Sequence, residues 1–334
     1  MKTTDIIRLN FYHDLTEGGI AYTTRALARS ILPREDSIYG HLRQSVAGTA
    51  VELAFRRHLS DHKIPFGVKT PAAFTDPDRY DVMLGSHRCI INSFFISTRK
   101  QIMDIHRDLE ILVSAPALVP LDEDAGEEHR DADIYLFAFA TGLTAASQSS
   151  QAKAIAAGQP IHLMHALPRS WATPKSWISL GQVALKSEAD FPLSLDLCGQ
   201  TEEREIINER LILPPQARIE STSRFFSISS IHVDKLPNGR VGIHASRQKE
   251  VYIIQPHTWN NLWVYGMDIY LVGWISHAEY RKHAALIQPG TRVFQFNRTR
   301  LKNLALPVQE LHPITDLLDK EEAWKPNKQS QQKA

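Results

Sequence analysis

Cysteine is scarce in this chain: Cys89 and Cys198 are the only two among 334 residues. They stand far apart, form no CxxC and each lies in an apolar run. That excludes a disulfide framework and a zinc ribbon, and fits buried free thiols in a reducing compartment. Long apolar runs are also missing. No stretch reaches the roughly 18 residues a membrane span needs, and the opening MKTTDIIRLNFYHDL lacks the unbroken hydrophobic core of a signal peptide. The expectation is a cytoplasmic protein with no membrane partner. Neither sign of charge is in excess: 38 Lys+Arg against 37 Asp+Glu leave a formal charge of +1. Nothing attracts nucleic acid globally, so any electrostatic site must be a local patch. GxSxG, Walker A and GxGxxG motifs are absent, which argues against a serine hydrolase, a P-loop NTPase and a Rossmann enzyme.

The composition that remains, 43% hydrophobic and 22% charged, is that of a globular protein. Residues 1–45 read as a helical cap. Leu15, Ile20, Leu27 and Ile31 recur at helical spacing around Gly18-Gly19, as two short helices ended by Pro33. Such a pair can be a helix-turn-helix, but RALARS has few side chains suited to reading bases, which favours a plain cap. VAGTAVELAFRRHLSDHKIPF puts Val46, Ala50, Leu53, Ala54 and Leu59 on one helix face with Glu52 beside it. Two strands joined by Gly85-Ser86 follow, then a helix through Ile102, Ile105 and Leu109. An acidic loop at 122–133 leads to DIYLFAFATGL, a strand apolar enough to be covered on both faces. The order helix, strand, strand, helix, strand defines an α/β (α+β) core over residues 46–158.

From about residue 159 to 318 short apolar runs between turns predict a β-rich C-terminal domain, a barrel or a sandwich. Asn238-Gly239 is a type I′ hairpin signal. One helix is expected over 277–287, opened by a Ser276/Glu279 capping box and closed by Pro289-Gly290. Residues 319–334 read as a disordered polar tail. His162 and His165 suggest a ligand pair, yet a three-residue spacing on a strand sends them to opposite faces. Trp171, Trp177 and Trp259, in Trp/Pro-rich segments, suggest exposed anchors for a protein partner.

A helix glutamate followed by a hairpin with an aspartate on its first strand resembles the PD-(D/E)XK, or restriction-endonuclease-like, superfamily over residues 46–143. The resemblance implies a Mg²⁺-dependent phosphodiester hydrolase in which Glu52 and Asp81 ligate the metal. Hard oxygen ligands for a cation that activates water are what that reaction needs. An acid-x-lysine is then due near Ile90 and Asn92, and neither residue supplies it. Asn92 keeps only hydrogen bonding, while Lys100, at the start of the following helix, is the candidate for a migrated lysine. Without a metal role, Glu52 has Arg56 four residues on as an ordinary ion-pair partner.

Between Tyr280 and Gln309 there is no acidic residue, while Arg292, Arg298, Arg300 and Lys302 interleave with Phe294 and Phe296. Such a run can neutralise phosphates and stack on unpaired bases; it can equally be a solvated basic face. Arg88, Arg99 and Lys100 are the corresponding cations at the hairpin end. The leading expectation is a catalytically degenerate nuclease-fold protein that binds nucleic acid, DNA before RNA, or scaffolds a complex. An active Mg²⁺-dependent endonuclease and a protein-interaction subunit are the alternatives.

Overall fold

The computed structural model describes residues 1–29, 38–68, 81–124, 129–248 and 250–319. In chain order it begins with β1 (Ile7–Leu9), α1 (His13–Arg29), α2 (Ile38–Asp61), β2 (Val82–Leu84), β3 (His87–Ile96), α3 (Arg99–Arg107), β4 (Pro116–Pro120) and β5 (Ile134–Thr144). The strands β6 (Leu163–Ala166), β7 (Val183–Ser187), β8 (Leu193–Gln200), β9 (Ile206–Leu213) and β10 (Arg218–Glu220) follow. Then come β11 (Ser227–Val233), β12 (Val241–Ala245), β13 (Tyr252–Ile254), β14 (Asn260–Asn261), β15 (Val264–Ser276), β16 (Ala285–Ile287) and β17 (Asn303–Pro307). This is mixed α/β architecture with several sheets. Among the described residues no helix is long and apolar enough to cross a membrane.

The chain divides into two compact units. The first comprises Met1–Leu15, Ala47–Leu143 and the chain from Gly266 onward; the second comprises Thr16–Val46 and Thr144–Tyr265. The continuous β-rich domain expected over 159–318 is therefore split, because β15 returns to the first unit. There it stands between β1 and β5 in the order β1-β15-β5-β3-β2. No local pattern reports such a return.

In the first unit β2 and β3 form an antiparallel hairpin closed at Gly85, which has φ +58°, and β5 runs parallel to β3. Residues 134–142 of β5 are all buried, as its unbroken apolar run predicts. On one sheet face Phe94, Ile96, Tyr135, Phe137 and Phe139 form a core with Ile105 of α3 and with Tyr280. A second sheet, β16-β17-β4, adds Leu118 and Leu306 to that core. The helix expected over 277–287 stops at His283, and Ala285–Ile287 instead pairs antiparallel with Asn303–Ala305. Ser276 Oγ does accept from Glu279 N at 3.3 Å, so the N-cap holds and only the far end yields to strand pairing.

The second unit is a β-sandwich. The sheets β10-β7-β12-β13 and β14-β6-β11-β8-β9 share one core, in which Val183, Leu185, Val241 and Ile243 meet Leu195, Leu197, Ile228 and Ile231. Asn238-Gly239 makes no type I′ hairpin: the strands it joins, β11 and β12, belong to different sheets, and Gly239 is not among the residues with positive φ. Gly18-Gly19 does not break α1. A Cβ on Gly19 would lie 2.4 Å from the carbonyl oxygen of Val46, so this glycine permits close helix approach and not a turn. Trp171 and Trp259, expected as exposed anchors, are 3% and 1% exposed and belong to the sandwich core. Trp177 is half-buried against Phe226. The polar tail from residue 320 lies outside the described residues.

Candidate functional site

The acids singled out in the sequence both border the face of β3 that α2 covers, within the first unit. A Cβ on Gly48 of α2 would lie 3.1 Å from Ser93 Oγ, which fixes that face as the one bearing Ser93 and, two residues back, Ile91. Glu52 is one helical turn beyond Gly48. Its carboxylate accepts a hydrogen bond from Arg56 Nη2, and the same Nη2 donates to the main-chain oxygen of Asp81 at 2.9 Å. Helix acid and hairpin therefore do meet, but they meet on a guanidinium. Asp81 Oδ2 accepts from the Ile91 amide at 2.8 Å, which ties the start of the hairpin to β3.

The Glu52 carboxylate is thus engaged by a cation, and Asp81 Oδ2 by a main-chain amide. The positions where an acid-x-lysine would face the helix are Ile91 and Ser93, one residue out of register from Ile90 and Asn92. A one-residue shift moves a strand side chain to the other face. Asn92 accordingly shares the face of Phe94 and Ile96, where its Nδ2 is buried without a hydrogen-bond partner among the described residues. Lys100 is exposed in the first turn of α3, which packs on that same opposite face through Ile102 and Ile105. It also lies beyond the end of β3 at Ile96, which is itself about 16 Å along the strand from Ile91. Among the described residues no group of three His, Cys, Asp or Glu side chains converges as a metal site would require.

Of the expected phosphate contacts, Arg88 is 5% exposed and committed to Asp133. Its Nε donates to Oδ1 at 3.0 Å and its Nη2 to Oδ2, while the Arg130 amide donates to Oδ2 at 2.9 Å. Burial pushes the Asp133 carboxyl up, but the hydrogen bonds from Arg88 and Arg130 and the charge of Arg88 outweigh it, so the group titrates below its ordinary range. The acidic loop is likewise partly internal. Asp124, 2% exposed, lies 3.4 Å from Arg281 Nε and 3.2 Å from His277 Nε2, and accepts from the Tyr135 hydroxyl at 3.3 Å.

The remaining cations are exposed and lie on two segments that touch. Arg99 and Lys100 open α3, whose Gln101 Nε2 donates to the Phe294 carbonyl at 2.8 Å. That bond sets the start of the helix against the 288–302 loop, which carries exposed Arg292, Arg298, Arg300 and Lys302. The loop is held by its own backbone. Val293 and Phe296 exchange amide bonds at 3.1 and 3.3 Å, Gly290 N donates to Thr299 O at 2.7 Å, and Thr299 N donates to Thr291 O at 2.8 Å. Its tip is anchored inward: Gln295 Nε2 donates to Pro116 O, and the half-buried Phe294 ring packs 6.3 Å from Phe139.

In the sandwich unit His162 and His165 do part to opposite sides. His162 Nε2 lies 2.7 Å from His232 Nδ1, whereas His165 Nε2 lies 3.0 Å from the Tyr252 hydroxyl. Burial lowers the pKa of both His162 and His232. Sequence reasoning noted Arg56 only as an ordinary partner of Glu52 and missed both its second bond to Asp81 and the Gln101–Phe294 link. Gly48, small on a helix face otherwise lined with larger side chains, was the available signal for the register at Ser93.

No protein-family model matches the sequence, and no curated protein or solved structure matches it either.

Proposed function

We propose that this chain binds nucleic acid, DNA in preference to RNA, through a restriction-endonuclease-like core that no longer hydrolyses it. The order α2, β2, β3, α3, β5, with an antiparallel hairpin and β5 parallel to β3, supports the fold reading. Arg56 at the meeting point of Glu52 and Asp81 supports lost metal catalysis. The observation that supports binding is the Gln101–Phe294 bond, which brings two cationic segments nearly 200 residues apart into contact. Six cations there, Arg99, Lys100, Arg292, Arg298, Arg300 and Lys302, give a local positive patch on a chain of net charge +1. By analogy of fold alone, a complex that handles foreign DNA, as in restriction or phage defence, is a natural setting.

The test is DNA binding at low salt together with a Mg²⁺-supported cleavage assay. Expected are salt-sensitive binding, no cleavage under any divalent metal, and affinity unchanged in Asp81→Ala. If all six cations contact a single strand, log K falls with log salt at a slope of about −4. Cleavage abolished by Asp81→Ala would establish an active endonuclease instead. No binding even at low salt would leave a protein-interaction subunit.

A further inference from the structure

We infer that the basic face is a single-strand site, in which Phe296 stacks on an unpaired base while the surrounding cations hold the backbone; this deepens the nucleic-acid reading and rests on it. The loop carries two phenylalanines, and the structure gives them different tasks. Phe294 turns inward against Phe139 and uses its carbonyl to accept from Gln101. Phe296 points outward and is 38% exposed.

Its position is fixed. The ring stands edge-on to Phe94 at 6.4 Å and 82°, so the core braces one edge, and the reciprocal amide bonds with Val293 fix the backbone behind it. A preformed, braced ring loses little freedom on stacking, which is what makes a base platform effective. Arg298, Arg300 and Lys302 follow Phe296 in the same loop and are exposed. An exposed π-face with exposed cations in the same loop can offer a nucleotide a stacking partner and a phosphate partner together. Paired bases in a duplex present no free face to such a ring, so duplex binding uses the cations alone.

Arg99 and Lys100 extend the cationic track. They occupy the first turn of a nine-residue helix whose Ncap, Thr98, makes no side-chain capping bond, which leaves backbone amides oriented toward an approaching phosphate. No acidic residue interrupts the track between Tyr280 and Gln309.

The test uses the full chain with a fluorescein-labelled oligothymidylate and a labelled duplex of equal length, read by anisotropy at low salt. The single strand is expected to bind more tightly. Phe296→Ala is expected to weaken single-strand binding by about 5- to 150-fold, the range for one stacked base, and to leave duplex binding within a factor of two, about that of the intact protein. Phe296→Leu, which keeps the apolar contact with Phe94 and removes the π-face, should behave like Phe296→Ala, and Phe296→Tyr like the unaltered chain. This separates stacking from loss of loop structure. Arg298→Gln with Lys302→Gln should weaken both ligands and flatten the salt slope by about 0.7 per charge on the single strand. Equal binding of both forms, or no effect of Phe296→Leu while the cation variants still weaken binding, overturns the stacking inference and leaves the nucleic-acid reading standing. Absence of binding to either oligonucleotide removes that reading and the inference with it.

Discussion

Replacing Asp133 by asparagine removes the negative half of an ion pair whose side chains are 6% and 3% exposed. Arg88 would keep its charge and its burial and lose the Asp133 carboxylate. The Asp133 carboxylate now receives two bonds from Arg88 and one from the Arg130 amide. Breaking a buried pair from one side costs about 3–5 kcal/mol, because the surviving charge stays desolvated. The paired removal Arg88→Met with Asp133→Leu should recover most of that loss, since an apolar pair of similar volume avoids the desolvation altogether. Two compact units make a single global unfolding free energy ill-defined, so the assay is native-state hydrogen exchange at the amides of β3 and β5. Their opening free energy should fall by about 3–5 kcal/mol in the single variant and by much less in the double one.

The pH dependence follows from the same pair. Asp133 titrates below its ordinary range in the folded chain, so its contribution is complete above the unfolded carboxyl pKa of about 3.9 and disappears as pH falls through the folded value. Protection of β3 and β5 should therefore weaken below about pH 4 in the natural chain and respond less steeply in Asp133→Asn. A single variant within about 1 kcal/mol of the natural chain, or a double variant as damaged as the single, would refute the claim that Arg88 serves the fold. It would return Arg88 to the list of phosphate contacts.

Burial, followed by the charges of Asp81 and Asp133, pushes the Cys89 thiol well above its ordinary range. It should resist iodoacetamide at pH 8 in the folded chain and react once the protein is unfolded; labelling under native conditions would contradict its place in the core. In the sandwich unit, His162 and His232 titrate below the ordinary imidazole range because burial penalises the charged form, His162 at about 4. Their neutral forms stabilise fully above the unfolded pKa of about 6.5, and that stability is lost as pH falls from there toward the folded values. The thermal midpoint of this unit should drop over that interval and flatten in His232→Phe, and imidazole resonances titrating near pH 6.5 in the folded protein would count against it.

Local chemistry was enough for much of the architecture. Gly85-Ser86 announced the β2–β3 turn, the 134–142 run announced a doubly covered strand, and the spacing of Val46, Ala50, Ala54 and Leu59 announced the helix that carries Glu52. These depend on neighbours a few residues apart, so sequence pattern reports them directly. The α/β core and the basic, aromatic 288–302 segment were legible for the same reason.

Only the tertiary structure decided what those parts meet. The return of β15 to the first sheet, the strand at Ala285–Ile287 where helix was expected, and the burial of Trp171 and Trp259 all depend on pairing with distant chain. So does the side of β3 on which Asn92 falls, since a register one residue out inverts every side chain while leaving the local pattern unchanged. Arg56 could be read four residues from Glu52, but its bond to the backbone of Asp81 spans 25 positions, and Arg88 finds Asp133 across 45. Sequence thus determined which residues could form a charged corner and a basic loop; packing determined that the corner is closed by a guanidinium and that the loop lies against the start of α3.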